Sequence, residues 1–241
     1  MGTGFVFDGP LYDRLNRSRG EVVASLVGEL RNELELKTAI DIGCGLGYFA
    51  SALQSLGFQV SAIDGRHENV AEAQRRYPKI QFRQFDAQDT NLRKLGKFDL
   101  VLCFGLLYHL ENPFLTIRNV RQMTGRLLLV EAIIFPGDEP VMALVDESRF
   151  ADQGLNHVAF YPTEACLVKM LYKAGFSFVY GLRRGPNHPE YYAAENARRT
   201  RTMLVASLDA LKSESLRLIA ETSTAILPWD RSSGVERSHR G

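Results

Sequence analysis

A short apolar run, Thr38-Ala39-Ile40-Asp41-Ile42, breaks into Gly43-Cys44-Gly45-Leu46-Gly47 and resumes as an amphipathic stretch from Tyr48 that stops at Gly57. Strand, glycine loop and helix in immediate succession build one kind of object. The alternate glycines let the backbone take angles that other residues resist and come close to a ligand. The helix that follows offers unpaired amide groups and a partial positive charge at its first turn. Such a loop suits a flat, polar ligand; the competing reading is a plain structural corner.

The same alternation runs on through the chain. Gln59 to Ile63 reads as a strand ending at Asp64-Gly65, and a polar helix reaches Tyr77 before Pro78. Ile80 to Phe85 alternates as a strand ending at Asp86. Phe98 to Phe104 and Leu127 to Phe135 are nearly continuous apolar runs, the pattern of strands covered on both faces in parallel sheets. Asn112-Pro113 opens a helix between them. Strands and helices in this order predict right-handed βαβ units, hence an α/β fold with a doubly wound, Rossmann-like sheet. Val22, Leu26, Leu30 and Leu34 predict a preceding helix over 21–34. Residues 136–161 break the rhythm and read as an insertion after the fifth strand, a lid over the substrate edge. A helix around Leu167 to Ala174 and a strand over Phe176 to Leu182 follow, and Arg201 to Ser207 reads as a last antiparallel strand, with the start of a terminal helix as the alternative. Residues 1–229 thus read as one domain, and the polar 230–241 as a disordered tail.

Composition removes several function classes. No apolar run nears the ~20 residues that cross a bilayer, so no membrane association is expected. Met1 to Arg19 lacks the apolar core of a secretion signal. Cys44, Cys103 and Cys166 show no paired spacing, and they read as reduced packing residues of a cytoplasmic protein. No His, Cys or carboxylate spacing predicts a metal site. With 29 basic and 28 acidic residues the net charge is +1, which argues against a surface built wholly for a polyanion. Arg183-Arg184 and the run from Arg198 to Arg201 read as solvated faces, with an anionic substrate as the alternative.

Two details choose among ligands. The dinucleotide fingerprint G-x-G-x-x-G needs a third glycine where Tyr48 stands. Asp41, just before the loop, is an awkward neighbour for two phosphates and suits a ligand bearing an ammonium group. Asp64, ending the next strand, pairs naturally with a ribose diol, although a dinucleotide fold would place an acid there too.

The stretch Asp41-Ile42-Gly43-Cys44-Gly45-Leu46-Gly47-Tyr48-Phe49 resembles motif I of the class I S-adenosylmethionine-dependent methyltransferases, and the resemblance extends to about residue 135. It implies a seven-stranded sheet and S-adenosyl-L-methionine as cofactor, with S-adenosyl-L-homocysteine as product. It further implies that Asp41, Gly43, Cys44, Gly45, Gly47 and Tyr48 hold the cofactor. Asp64 with Gly65 would take the ribose, Asp86 with Ala87 the adenine, and Phe104-Gly105 the methionine part. A second resemblance covers about 98–176, through Cys103 to Pro113, Asp146 to Phe150, Phe160 to Thr163 and Ala174 to Phe176. These segments are similar to the enzymes that carboxymethylate tRNA wobble 5-hydroxyuridine, and to their uncharacterised methyltransferase relatives.

Methyl transfer from a sulfonium is an in-line displacement in which the protein chiefly aligns the partners. A hydroxyl acceptor also needs a base. His109, just after the fourth strand at the ligand-binding edge, is the candidate, with a structural brace as the alternative. Tyr108, Arg149, His157 and Tyr161 are the candidate acceptor-binding residues. The expected function is methylation of a small polar acceptor, a sugar or natural-product hydroxyl. The alternatives are a tRNA-modifying (carboxy)methyltransferase, which the near-neutral charge and the short stretch before Asp41 disfavour, and a cofactor-binding regulatory protein without turnover.

Overall fold

The apolar runs form the centre of a mixed sheet in the computed structural model, which describes residues 5–150, 152–194 and 198–221. Five parallel strands come first: β1 (Thr38–Ile42), β2 (Gln59–Asp64), β3 (Gln81–Gln84), β4 (Phe98–Phe104) and β5 (Thr124–Ile133). A separate antiparallel hairpin, β6 (Met142–Asp146) and β7 (Val158–Pro162), follows. Then β8 (Phe178–Leu182), β9 (Arg201–Ser207) and β10 (Leu216–Leu218) complete the large sheet. Its order is β10-β8-β9-β5-β4-β1-β2-β3, with β9 antiparallel to both β5 and β8. The chain runs outward from β1 to β3 and then returns to lay β4 against β1. The strand order therefore reverses between β1 and β4, where open α/β sheets leave a crevice for ligands.

Helices cover both faces because alternate residues of each strand point opposite ways. Leu100, Leu102 and Phe104 face α1 (Pro10–Leu34) and α2 (Tyr48–Ser55). Val101 and Cys103 face the side covered by α4 (Pro113–Met123) and α5 (Glu164–Ala174). A third helix, α3 (His67–Arg76), flanks β2 and β3.

The structure departs from the sequence reading at three places. The sheet has eight strands, not seven, because Leu216–Leu218 pairs antiparallel with β8 and covers its edge. The first helix starts at Pro10, not residue 21: proline sits at its first position, where no amide partner is needed, and Leu15, Ser18 and Arg19 are buried. The insertion is not structureless but carries the β6–β7 hairpin. Its apolar residues Met142 and Leu144 face solvent, which hides the strand alternation. Residues 230–241 lie outside the described residues. Among the described residues no helix is long and apolar enough to cross a membrane.

Candidate active site

At the β1/β4 crevice lies a cavity of about 460 Å³. The glycine loop forms its floor. Gly43, Gly45 and Gly47 have φ of 76°, 52° and 86°, the left-handed region that favours glycine. The fit is tight as well as twisted. A Cβ on Gly43 would lie 3.1 Å from Leu106, and one on Gly47 would lie 2.9 Å from the Phe82 ring. The loop does not offer its amides outward, however. Gly43 and Cys44 N–H both donate to the Ile63 carbonyl at 2.9 Å, Gly45 N–H donates to the Asp64 carboxylate, and Gly47 N–H donates to the Cys44 carbonyl. A diphosphate would find these donors taken.

Asp64, at the end of β2, projects into the cavity. It accepts from Gly45 N–H (2.9 Å), Arg66 N–H (2.9 Å) and the Asn69 side-chain amide (3.0 Å). A carboxylate has about four acceptor positions, so three donors hold it in place and leave capacity for a ligand hydroxyl. Burial raises its pKa, and these hydrogen bonds oppose the rise. Gly65, Asp86, Ala87, Cys44, Tyr48, Phe104 and Gly105 also line the cavity. Asp86 is exposed and caps its own turn, accepting from Gln88 N–H at 2.9 Å. Leu155 covers Gly65 so closely that a Cβ there would meet it at 2.8 Å.

The opposite wall carries His109, in a short 3-10 turn over Leu107–His109. Its Nδ1 lies 2.5 Å from Oε1 of Glu147, whose other oxygen accepts from Gly154 N–H at 2.8 Å. Burial lowers the His109 pKa and the Glu147 charge opposes this; the net direction is downward. Tyr108 packs on His109 with ring centroids 4.2 Å apart, and Tyr161 meets Tyr108 edge-on at 5.7 Å. Tyr12, from α1, donates to Asp152 at 2.7 Å and joins the first helix to the loop between β6 and β7.

Behind this wall is a buried ionic cluster. Glu131, 0% exposed, receives Arg19 at 3.0 Å, Arg201 at 3.1 Å and the Tyr191 hydroxyl at 2.9 Å, all on one oxygen. Its other oxygen has no hydrogen-bond partner among the described residues and would sit 4.0 Å from a Cβ on Gly105. Burial pushes this carboxyl's pKa up, but the two arginine charges outweigh it and hold the group below the usual carboxylate range. Arg19 and Arg201 line the cavity, whereas Arg183, Arg184 and Arg198 face solvent. Within the arginine run, Arg198 is exposed, Arg199 is half-buried and pairs with Glu164 at 2.7 Å, and Arg201 turns into the cavity.

Several sequence candidates do not reach the cavity. Asp41 is 1% exposed and sits beneath the loop, where it accepts from Ala50 N–H at 3.1 Å and caps the first turn of α2. Burial, with the Asp64 charge adding to it, raises its pKa to about 7. Gly47 lies behind the loop against Phe82 and Tyr77. Arg149 and His157 are exposed on the β6–β7 loop and do not line the cavity. His157 instead turns the chain, with φ of 58°, and its carbonyl receives Glu147 N–H at 2.9 Å. Arg19, Tyr12, Glu147, Asp152 and Glu131 escaped the sequence reading, since each works through a partner far away in the chain.

Comparison with known proteins adds one decisive match: residues 40–126 fit the family described as Methyltransferase domain. These residues are a class I methyltransferase domain. The domain runs from β1 into β5 and holds the glycine loop, Asp64, Asp86 and His109. A tRNA U34 carboxymethyltransferase of Tolumonas auensis is 30% identical over 61% of the chain, and the match covers 46% of that relative. The chain thus spans about half the length of such relatives. A ubiquinone biosynthesis O-methyltransferase of Psychrobacter arcticus is 26% identical over 66% of the chain and 67% of the relative. Among solved structures, the N-terminal domain of EvdMO1 with S-adenosylhomocysteine bound aligns at TM-score 0.62. It is 18% identical over 78% of this chain and 80% of that one. The magnesium protoporphyrin IX methyltransferase of Synechocystis aligns at TM-score 0.56, 22% identical over 86% and 87%.

The cofactor of this domain is S-adenosylmethionine, and the residues present fit it. A buried carboxylate with spare acceptor capacity (Asp64), inward-turned loop amides, and a buried carboxylate oxygen without a partner near Gly105 suit a diol and an ammonium group. They do not suit a bridge of two phosphates.

Proposed function

We propose that the protein is a methyltransferase that transfers a methyl group from S-adenosylmethionine to a hydroxyl of a small polar acceptor. One observation carries the reading: the half-buried His109 ring, with Nδ1 against Glu147 and its pKa lowered by burial, faces the same cavity as the glycine loop and Asp64. Asp64 and Gly65 hold the ribose, Asp86 and Ala87 border the adenine, and Gly43, Cys44, Gly45, Tyr48, Phe104 and Gly105 line the path of the methionine part. Asp41 and Gly47 act on this site only by shaping the loop. When bound, S-adenosylmethionine supplies a methyl group on a positively charged sulfur.

His109 accepts the acceptor's hydroxyl proton at Nε2 while Nδ1 stays against Glu147. A positioned base of this kind contributes about 10²- to 10⁴-fold. Tyr108 and Tyr161 give the acceptor an aromatic wall, and orientation against that wall supplies up to ~7–11 kcal/mol of the barrier. The β6–β7 hairpin and its loop, within residues 136–161, form the lid of this single domain, with Leu155 over Gly65 and Gly154 over His109. A second reading, an RNA acceptor, draws support from the likeness to the tRNA U34 carboxymethyltransferases. The net charge of +1 weighs against it.

Incubation with labelled S-adenosylmethionine and a panel of sugar, phenolic and bulk tRNA acceptors tests the proposal. A labelled small hydroxyl product is expected, with turnover falling ~10²–10⁴-fold in His109→Ala while cofactor affinity stays within about twofold. Equal turnover by His109→Ala would remove the base, and salt-sensitive labelling of tRNA alone would select the RNA reading.

A further inference from the structure

Glu147 belongs to no element of the methyltransferase domain match, yet it ends at the cavity wall. It follows β6 directly, and its backbone N–H is fixed by the His157 carbonyl at 2.9 Å. Its side chain is 1% exposed. Both of its oxygens are used: Oε1 lies 2.5 Å from His109 Nδ1, and Oε2 accepts from Gly154 N–H at 2.8 Å. Gly154 closes the arrangement. A Cβ there would lie 2.6 Å from the His109 carbonyl oxygen and 2.8 Å from Glu147 Oε2, so only glycine lets the loop sit on this pair.

A buried carboxylate held through both oxygens cannot rotate away from the ring. An anion accepts and does not donate, so the proton between the two groups belongs to Nδ1. The second ring nitrogen is then left without a proton, which is the form a base requires.

From this we infer that Glu147 is the positioning residue of His109: it fixes the ring's tautomer and orientation so that Nε2 is the bare nitrogen presented to the acceptor. The inference rests on the proposed role of His109 as base. In the step itself, the acceptor O–H bond breaks and its proton joins Nε2. The oxygen's electron pair forms the bond to the methyl carbon, and the carbon–sulfur pair returns to sulfur. The imidazolium so formed keeps Nδ1–H against the Glu147 carboxylate, then releases the Nε2 proton to solvent. Asp152 on the same loop and Arg201 on β9 act on the ring by charge with opposite signs, and Tyr108 and Tyr161 border it.

Two measurements test this. Nitrogen NMR of histidine-labelled protein, assigned by comparison with His109→Ala, is expected to show Nδ1 protonated and Nε2 bare at pH 7.5–8; an Nε2–H ring would overturn the inference without any assay of turnover. In steady-state kinetics, Glu147→Gln is expected to lower kcat by ~10²-fold or more with cofactor KM little changed, because the amide N–H turns the tautomer around. Loss of the carboxylate also removes stabilisation of the imidazolium, so the acid limb of kcat/KM moves to lower pH. Glu147→Asp should recover part of the rate. If His109→Ala is inactive while Glu147→Gln keeps the wild-type kcat and acid limb, the inference fails and the base assignment stands. If His109→Ala is fully active, both fail together.

Discussion

Replacing Glu131 with alanine should be among the most damaging single changes outside the apolar core. The carboxylate is fully buried, and it is the shared partner of Arg19 and Arg201, whose side chains are only 6% and 11% exposed. Arg201 keeps Glu190, and Arg19 keeps the Tyr191 hydroxyl and Asn16, but neither arginine then has a buried counter-charge. Removing one member of a buried ion pair costs about 3–5 kcal/mol. For a chain of this size each kcal/mol lowers Tm by roughly 2–4 °C, so a drop of about 6–20 °C is expected. Circular dichroism melts and urea titrations of wild type and Glu131→Ala measure it. The triple change Arg19→Met, Glu131→Leu, Arg201→Met should recover most of the loss, because well-packed apolar groups replace buried ion clusters at little cost. The sign with pH follows from the depressed carboxyl. Its contribution is complete above the unfolded carboxylate value of ~4.3 and is lost as pH falls through the lower folded value. A melt for Glu131→Ala within ~1 °C of wild type, or an unchanged acid limb of stability, would refute the reasoning.

Asp64→Ala removes the proposed diol partner and the acceptor that fixes Gly45. Hydrogen bonds to a charged group are worth about 1.5–3 kcal/mol, so S-adenosylhomocysteine affinity should fall ~10- to 100-fold or more by calorimetry. Unchanged affinity would take Asp64 out of the site. Asp41 is buried with its pKa raised to about 7, so the folded state holds a proton there that the unfolded state, near ~3.9, releases. Stability should therefore decline as pH rises between those values. Asp41→Asn, which still accepts from Ala50 N–H, should flatten that part of the urea midpoint profile; an identical slope in both proteins would exclude the assignment.

Local chemistry made the glycine loop and the central strands legible. The loop's glycines are adjacent in sequence, and continuous runs such as Phe98 to Phe104 admit one reading as strands buried on both faces. What stayed hidden depends on distant partners. Arg19 looks like a solvated charge that would end a helix, and it is buried only because Glu131 awaits it across the fold. Arg201 hides in an arginine run, yet it reaches a buried carboxylate 70 residues earlier. Glu147 meets His109 across 38 residues, and Tyr12 meets Asp152 across 140. In the β6–β7 hairpin the exposed Met142 and Leu144 mask the strand period, although Ala159 and Tyr161 of β7 face inward. Asp41 illustrates the converse: its place before the loop suggested a ligand contact, while the structure uses it to satisfy an amide of α2.

The most direct test of the whole account is a crystal structure of the protein grown with S-adenosylhomocysteine. The ribose is expected on Asp64, the adenine beside Asp86 and Ala87, and the amino-acid end between Gly43 and Gly105, with the sulfur facing His109. Density for the nucleoside anywhere else, or an empty crevice at saturating concentration, would contradict it.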